Sequence, residues 1–253
     1  LKSSNTHYIG NAIDDLVKYF DLKEFRTKSY DITLALQPSL QAAAVKSLRD
    51  GLIDYMYRKE EYLGPILGIN TLNYDNYKLA DFKVGKITSE NTLEDMKSQQ
   101  VYSILESSLS WISNTYSLEE NDYVYYRVSP NDEDFVQIVQ EPKVQGSIVV
   151  MDSKTGFIYA LTGAFDESKS EFNRVTMAQR QPGSLLKPFV YALALESGWT
   201  PASPILDTSI AYSTSSDEIW RPKDHGNTNR GYTTLRSGLE YSRNTVTLRL
   251  FED

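Results

Sequence analysis

The sequence contains no cysteine and only two histidines, His7 and His225. The first absence excludes thiolate nucleophiles, zinc–thiolate sites and disulfide stapling, while leaving the cellular compartment open. The second leaves almost no room for imidazole catalysis, so any acid–base chemistry falls to Lys, Glu, Asp or Tyr. No apolar run approaches the roughly 18–20 residues that a membrane-spanning helix needs, and no signal-peptide pattern opens the chain. Positive charge is short as well. Lys and Arg number 26 against 34 Asp and Glu, and the resulting formal charge of −8 repels phosphate backbones and argues against nucleic-acid partners. What remains is ordinary globular composition, 40% hydrophobic and 24% charged over 253 residues, which excludes a disordered tail or a collagen-like fibre. That length suits one large or two ordinary domains. Both ends read as cut: the chain starts at Leu1 without a methionine, and it stops at Asp253 just after an apolar run, Val246, Leu248, Leu250 and Phe251. An excerpt of a longer protein is expected.

Periodicity divides the chain into four zones. In the first, Ile13, Leu16, Val17 and Phe20 have the three-and-four spacing of an amphipathic helix. In the second, Tyr30, Ile32, Leu34 and Leu36 alternate with Asp31, Thr33 and Ala35, the period of a half-buried strand. Pro38 then starts a helix, where its missing N–H costs nothing, and Leu40, Ala44, Leu48, Leu52 and Met56 form its apolar stripe. In the third zone, residues 123–128 and 135–139 read as strands around the turn cluster Ser129-Pro130-Asn131-Asp132-Glu133-Asp134. Short strands, many tyrosines and acidic turns predict a small all-β insert, with a helix somewhere in residues 93–112. The fourth zone opens near Glu141-Pro142. A hairpin over residues 147–161, turning at Asp152-Ser153-Lys154-Thr155-Gly156, precedes a helix predicted over residues 184–197 and closed by Gly198.

The segment that carries chemistry is Arg180-Gln181-Pro182-Gly183-Ser184-Leu185-Leu186-Lys187-Pro188-Phe189. Gly183 permits a tight entry, so Ser184 falls in the first helical turn, where the helix dipole favours developing negative charge by about 0.3–1 kcal/mol. Lys187, three residues on, shares that face, with Cβ atoms roughly 5–6 Å apart. Serine needs a base to become a nucleophile, and lysine serves only when neutral. Moving its pKa from about 10.4 to near 7 costs about 4–5 kcal/mol, and Leu185, Leu186, Phe189 and Val190 are expected to supply the apolar walls. Ser-x-x-Lys alone also describes any serine near a helix start followed by a surface lysine. Pro188, read as standing deep in the helix, breaks a local rule beside a candidate nucleophile and tips the balance toward function. The second element is Ser242-Arg243-Asn244. Its hydroxyl can relay a proton and its amide can hold a peptide carbonyl or amine. Alone the triplet would simply cap the next helix; in order behind Ser-x-x-Lys it matches two parts of a signature whose third part is Lys-Thr-Gly.

On these motifs residues 145–251 resemble the transpeptidase domain of bifunctional class A penicillin-binding proteins, the peptidoglycan synthases. Phe172-Asn173-Arg174, Lys187-Pro188-Phe189, Tyr191-Ala192, Trp220-Arg221-Pro222, Gly231-Tyr232-Thr233-Thr234-Leu235-Arg236 and Ser242-Arg243-Asn244-Thr245 all look like that family. Upstream, the segment from Asp31 to Ala43 is similar to the family's linker, and Tyr62-Leu63-Gly64-Pro65 resembles the Gram-negative subgroup with an oligonucleotide-binding-like insert. Departures occur too: Leu185 replaces a smaller or polar residue, and Ala35 stands where an aspartate is usual. The third motif is expected beyond Asp253. Lys154-Thr155-Gly156 spells it correctly but lies in a hairpin turn ahead of the serine, and is read as a decoy.

The resemblance implies an α/β (α+β) fold of the penicillin-binding/β-lactamase-like transpeptidase type, incomplete, with a small all-β (OB-like) insert. The expected organisation is a connection from an absent glycosyltransferase domain (residues 1–28), a linker strand–helix (29–61), the insert (62–140) and the N-terminal part of the transpeptidase domain (141–253). It further implies a D,D-transpeptidase that cross-links stem peptides through a serine acyl-enzyme, with no cofactor and no metal. Ser184 would attack the penultimate D-alanine carbonyl, Lys187 would be its base, Ser242 would shuttle a proton to the leaving amine, and Asn244 would orient the peptide. Trp220 and Arg243 are candidate substrate contacts, although a loop-end aromatic more often simply packs. Implied partners are peptidoglycan stem peptides on lipid II-derived strands, β-lactam antibiotics and, through the insert, an outer-membrane lipoprotein activator or other cell-wall proteins. The implied location is the periplasmic face of the inner membrane, with the anchor outside this chain. This fragment alone is expected to be inactive, because one oxyanion donor belongs to the missing motif. Two other readings stand beside it: a non-catalytic scaffold or activator-docking module, and a β-lactamase-like serine hydrolase, which would need neither linker nor insert. Glu196 and His225 are read as solvated helix face and surface turn.

Overall fold

The computed structural model describes residues 6–20, 23, 27–66, 77–213, 219–222 and 229–252. The chain separates into two compact units, residues 1–178 and 179–253. His225 lies outside the described residues.

In the first unit helix α1 (Thr6–Leu16) begins earlier than the apolar spacing indicates, and its Tyr8 hydroxyl donates to the Ile158 carbonyl at 2.6 Å. Residues 29–37 run without strand pairing, contrary to the alternation in their sequence. One backbone bond, from Gln37 N–H to the Tyr159 carbonyl at 2.9 Å, leads this segment into α2 (Pro38–Lys59). Proline at the start, buried Ala44, Val45, Leu48, Ile53 and Met56, and a left-handed cap at Glu60 account for the helix and both its ends. Gln41 is the unexpected member of the stripe. It is 1% exposed, and its amide exchanges two 2.9 Å hydrogen bonds with the Leu161 backbone, which satisfies a buried polar side chain and joins α2 to a strand below it.

Five strands make a closed barrel in the order β1-β2-β3-β5-β4. They are β1 (Lys83–Ser89), β2 (Thr92–Asp95), β3 (Val101–Ile104), β4 (Tyr123–Val128) and β5 (Phe135–Val139), with α3 (Glu106–Ser113) between β3 and β4. The helix expected in residues 93–112 is confined to that short segment, because residues 92–95 and 101–104 alternate buried and open positions and pair as strands. Ile87, Leu93, Tyr102, Ile104, Val124, Tyr126, Val136 and Ile138 fill the barrel, and Ile53 and Met56 of α2 join the same core. Strand β6 (Ile148–Met151) and β7 (Ile158–Thr162) form the expected antiparallel hairpin under α2. Its turn is built by Asp152, whose Oδ1 accepts from the N–H groups of Lys154 and Thr155. Lys154-Thr155-Gly156 is thus an exposed turn and not a strand.

The second unit starts with a 3₁₀ turn (Gly183–Leu186) leading into α4 (Lys187–Glu196). The α-helix therefore starts three residues later than predicted, and Pro188 occupies its first turn, where no hydrogen bond is lost. Pro188 therefore breaks no local rule, contrary to the expectation from the sequence. After α4, β8 (Pro204–Asp207) pairs antiparallel with β11 (Gly231–Thr234), and β9 (Tyr212–Ser213) pairs with β10 (Ile219–Trp220). Helix α5 (Leu235–Glu240) is capped by the Thr234 hydroxyl, which accepts from Ser237 N–H, and α6 (Asn244–Glu252) follows. Tyr191, Ala194, Ile205, Leu235, Val246 and Leu250 form the core of this unit. Gly238 lets α5 approach that core: a Cβ there would stand 2.5 Å from Val246 Cγ1 and 2.7 Å from the Tyr191 hydroxyl.

Candidate active site

Four side chains meet where the 3₁₀ turn faces the joint between α5 and α6. Gly183, at φ +54, turns the chain into the 3₁₀ segment, and Ser184 in that segment accepts the Lys187 N–H through its carbonyl. Lys187 is the first residue of α4 and is 8% exposed. A buried ammonium needs oxygen ligands to offset its lost hydration, and it has them. Its Nζ donates to the Ser242 carbonyl at 2.5 Å, to Asn244 Oδ1 at 2.7 Å and to Ser242 Oγ at 3.0 Å. Ser242 Oγ in turn bonds Ser184 Oγ at 3.1 Å. Ser184 and Ser242 themselves are open to solvent.

The triplet holds this geometry through an unusual backbone. Ser242 sits at φ +50, a left-handed conformation that costs a non-glycine residue roughly 1–3 kcal/mol. Its N–H bonds the Leu239 carbonyl at 2.9 Å and the Arg243 N–H bonds the Gly238 carbonyl at 2.8 Å, closing α5. Asn244 then opens α6. Because the chain turns at this joint, the hydroxyl and carbonyl of Ser242 and the amide oxygen of Asn244 surround one amine.

Two predicted residues are placed differently. Arg243 is 3% exposed and its Nε donates to Asp207 Oδ2 at 2.7 Å. Its guanidinium points into the unit, which corrects the expectation of a substrate contact. Trp220 is half exposed on β10, with its ring against Tyr212 at 5.7 Å between centroids, so it belongs to that small sheet. Of the four apolar residues expected to wall the pair, Leu185 is 76%, Leu186 54% and Phe189 74% exposed, and the half-buried Val190 packs on the core of the unit. Nor is the site a closed cavity. A groove of about 540 Å³ in this unit is lined by Tyr191, Leu195, Pro201, Leu235, Arg236, Leu239 and Glu240, none of the four. Sequence reasoning also missed Asp207 and Thr245. The one available signal was position, an acid closing a short apolar strand and a threonine directly after the triplet.

Among the described residues no three His, Asp or Glu side chains converge to hold a metal ion, and no helix is long and apolar enough to cross a membrane. The arrangement links an exposed hydroxyl to a buried amine through a second hydroxyl, the parts that serine acyl transfer requires when histidine is scarce.

Residues 146–253 match the family model for the penicillin binding protein transpeptidase domain. Penicillin-binding protein 1A of Pseudomonas aeruginosa is 30% identical over 255 residues, covering 90% of this chain and 31% of its own length. The protein of the same name from Rickettsia bellii is 32% identical over 265 residues, covering 96% and 33%. That from Neisseria lactamica is 44% identical over 115 residues, 45% of this chain and 14% of its own. The chain thus spans about a third of the length of the first two of these curated relatives. The crystal structure of penicillin-binding protein 1A from Haemophilus influenzae superposes with a TM-score of 0.84 over 98% of this chain and 39% of that one, at 24% identity. The α/β fold of this chain, barrel included, is shared with that protein.

Proposed function

With residues 146–253 belonging to the penicillin-binding protein transpeptidase family, we propose that this chain carries the nucleophile-bearing part of a peptidoglycan D,D-transpeptidase. The observation that carries the reading is the continuous path from Ser184 Oγ to Ser242 Oγ at 3.1 Å and on to Lys187 Nζ at 3.0 Å. Two of the three oxygens around Nζ, the Ser242 carbonyl and Asn244 Oδ1, can only accept. A neutral lysine gives them its two N–H bonds and keeps its lone pair for Ser242. Ser184 then passes its proton to Ser242 as Ser242 passes its own to Lys187, and the Ser184 oxygen bonds the substrate carbonyl carbon. On collapse the proton returns through Ser242 to the departing amine nitrogen, the C–N bond breaks, and Ser184 is left acylated. A second stem-peptide amine reverses these steps and forms the cross-link. A β-lactam enters by the same first step, its ring amide replacing the peptide bond.

The remainder of the chain is assigned supporting roles. Residues 1–28 and 29–61 connect toward a glycosyltransferase domain, the barrel within residues 62–140 is the insert and seat of an activator protein, and residues 141–253 begin the transpeptidase domain. The substrate places the whole protein at the periplasmic face of the inner membrane. The full-length protein, incubated with a fluorescent penicillin and run on a denaturing gel, is expected to carry covalent label that Ser184→Ala abolishes. Label that survives in Ser184→Ala overturns the assignment.

A further inference from the structure

Behind the triplet stands a carboxylate that the proton path does not use. Asp207, the last residue of β8, is fully buried. Its Oδ2 accepts Arg243 Nε at 2.7 Å and its Oδ1 accepts the Thr245 hydroxyl at 2.5 Å. Four successive residues are thereby sorted in opposite directions, Ser242 and Asn244 toward Lys187, Arg243 and Thr245 toward Asp207. The anchor itself is held by the sheet. Asp207 pairs with Gly231 across the β8–β11 ladder, and its carbonyl accepts Arg230 N–H at 3.2 Å. The Arg243 carbonyl is held in turn by the Thr247 hydroxyl at 2.7 Å.

A buried ion pair is a poor source of stability, because desolvating two charges offsets most of their attraction and apolar replacements often do as well. What such a pair does supply is a fixed direction. From this geometry we infer that Asp207 is a positioning residue for acyl transfer, acting through Arg243 and Thr245 to set Ser242 Oγ and Asn244 Oδ1 around Lys187. The inference rests on the reading of Ser184 and Lys187 as the reacting pair. Both hops of the path are already about 3 Å long, so a small displacement of the triplet lengthens one of them, and misplacement by about 1 Å costs on the order of 100-fold in rate.

The test measures the acylation rate constant at saturating fluorescent penicillin in the full-length protein, alongside its melting temperature. Asp207→Asn is expected to lower that rate constant by about 10- to 100-fold, and the near-isosteric Thr245→Val is expected to lower it less, by at least about threefold. The double variant Asp207→Leu/Arg243→Met removes both buried charges and is expected to melt near the wild type while acylating as slowly as Asp207→Asn. A purely structural pair predicts the opposite, recovery of rate with recovery of stability, and wild-type acylation by the double variant overturns the inference. Should Asp207→Asn or the double variant fail to fold, Thr245→Val decides, and an unchanged rate there overturns it. Ser184→Ala runs in parallel. Persistent label in that control rejects the catalytic reading and this inference with it, whereas a clean control with unaltered Asp207 and Thr245 variants rejects this inference alone.

Discussion

Strain and chemistry coincide at one side chain. Ser242 holds φ +50, which glycine adopts freely and serine does not, yet its hydroxyl is the middle of the proton path. Ser242→Gly separates the two roles. Relief of the backbone is expected to raise the melting temperature by a few degrees, equivalent to about 0.5–1 kcal/mol, while penicillin acylation falls by about 100-fold or more for want of the relaying hydroxyl. A variant that gains stability and keeps its acylation rate would remove Ser242 from the path. The four residues of the site were legible in the sequence because their order and spacing are specific. Their surroundings were not. Arg243 lies between two site residues and reads as a third, since a string of letters does not reveal that alternate side chains leave the backbone in opposite directions.

At the scale of elements, the joint between α5 and α6 depends on close packing against α4. At Gly238 a methyl group would enter the space of Val246 and Tyr191, both in the core of the second unit. Gly238→Ala would add about 1 kcal/mol of helix propensity in open solvent, but overpacking costs about 1–3 kcal/mol and decides the sign. Thermal unfolding is expected to show a lower melting temperature, and because the Gly238 carbonyl also accepts the Arg243 N–H, acylation slows as well. A higher melting temperature would mean that this contact is looser than the distances indicate. Helix α2 and the β6–β7 hairpin were readable from the spacing of Ala44, Leu48 and Met56 and from the Asp152 turn. Residues 29–37 misled, because their alternation matches a strand while they join no strand ladder among the described residues. Pro188 misled for a different reason: the 3₁₀ turn takes up residues 183–186, so the proline stands at a helix start that periodicity alone put three residues earlier.

For the whole molecule, acid is the natural probe, since the depressed carboxyls of the barrel-bearing unit are known by their partners. Burial alone would raise the Asp95 carboxyl, but the Tyr126 hydroxyl and the Ser98 and Lys97 N–H groups outweigh it and hold it below the ordinary range. Asp50 and Asp166 are lowered likewise, against burial, by Lys46 and Arg127 in one case and by Ser168 and the Ala80 N–H in the other. A carboxyl whose folded pKa lies below its unfolded value of about 3.9 stabilises the fold fully above that value and loses its contribution as pH falls through the folded pKa. The melting temperature is therefore expected to hold down to about pH 4 and to drop below it. In Asp95→Asn the pH 7 value starts lower and the acid slope is shallower. An unchanged slope would exclude Asp95 as a source of acid sensitivity. Periodicity alone gives the barrel only as a β-rich insert, its OB-like form coming from the family resemblance, because closure depends on β1 meeting β4 across some forty residues of sequence, a pairing that no local pattern encodes.

That closure limits how the insert can be gripped. A sheet with a free margin offers unpaired N–H and C=O groups on which another polypeptide can lay an extra strand, but here every strand already has a neighbour on both sides. Strand addition is left only the short margin where β3 and β5 meet over two residue pairs, so a protein that docks on the barrel is recognised chiefly by its loops, its outward-facing side chains or α3.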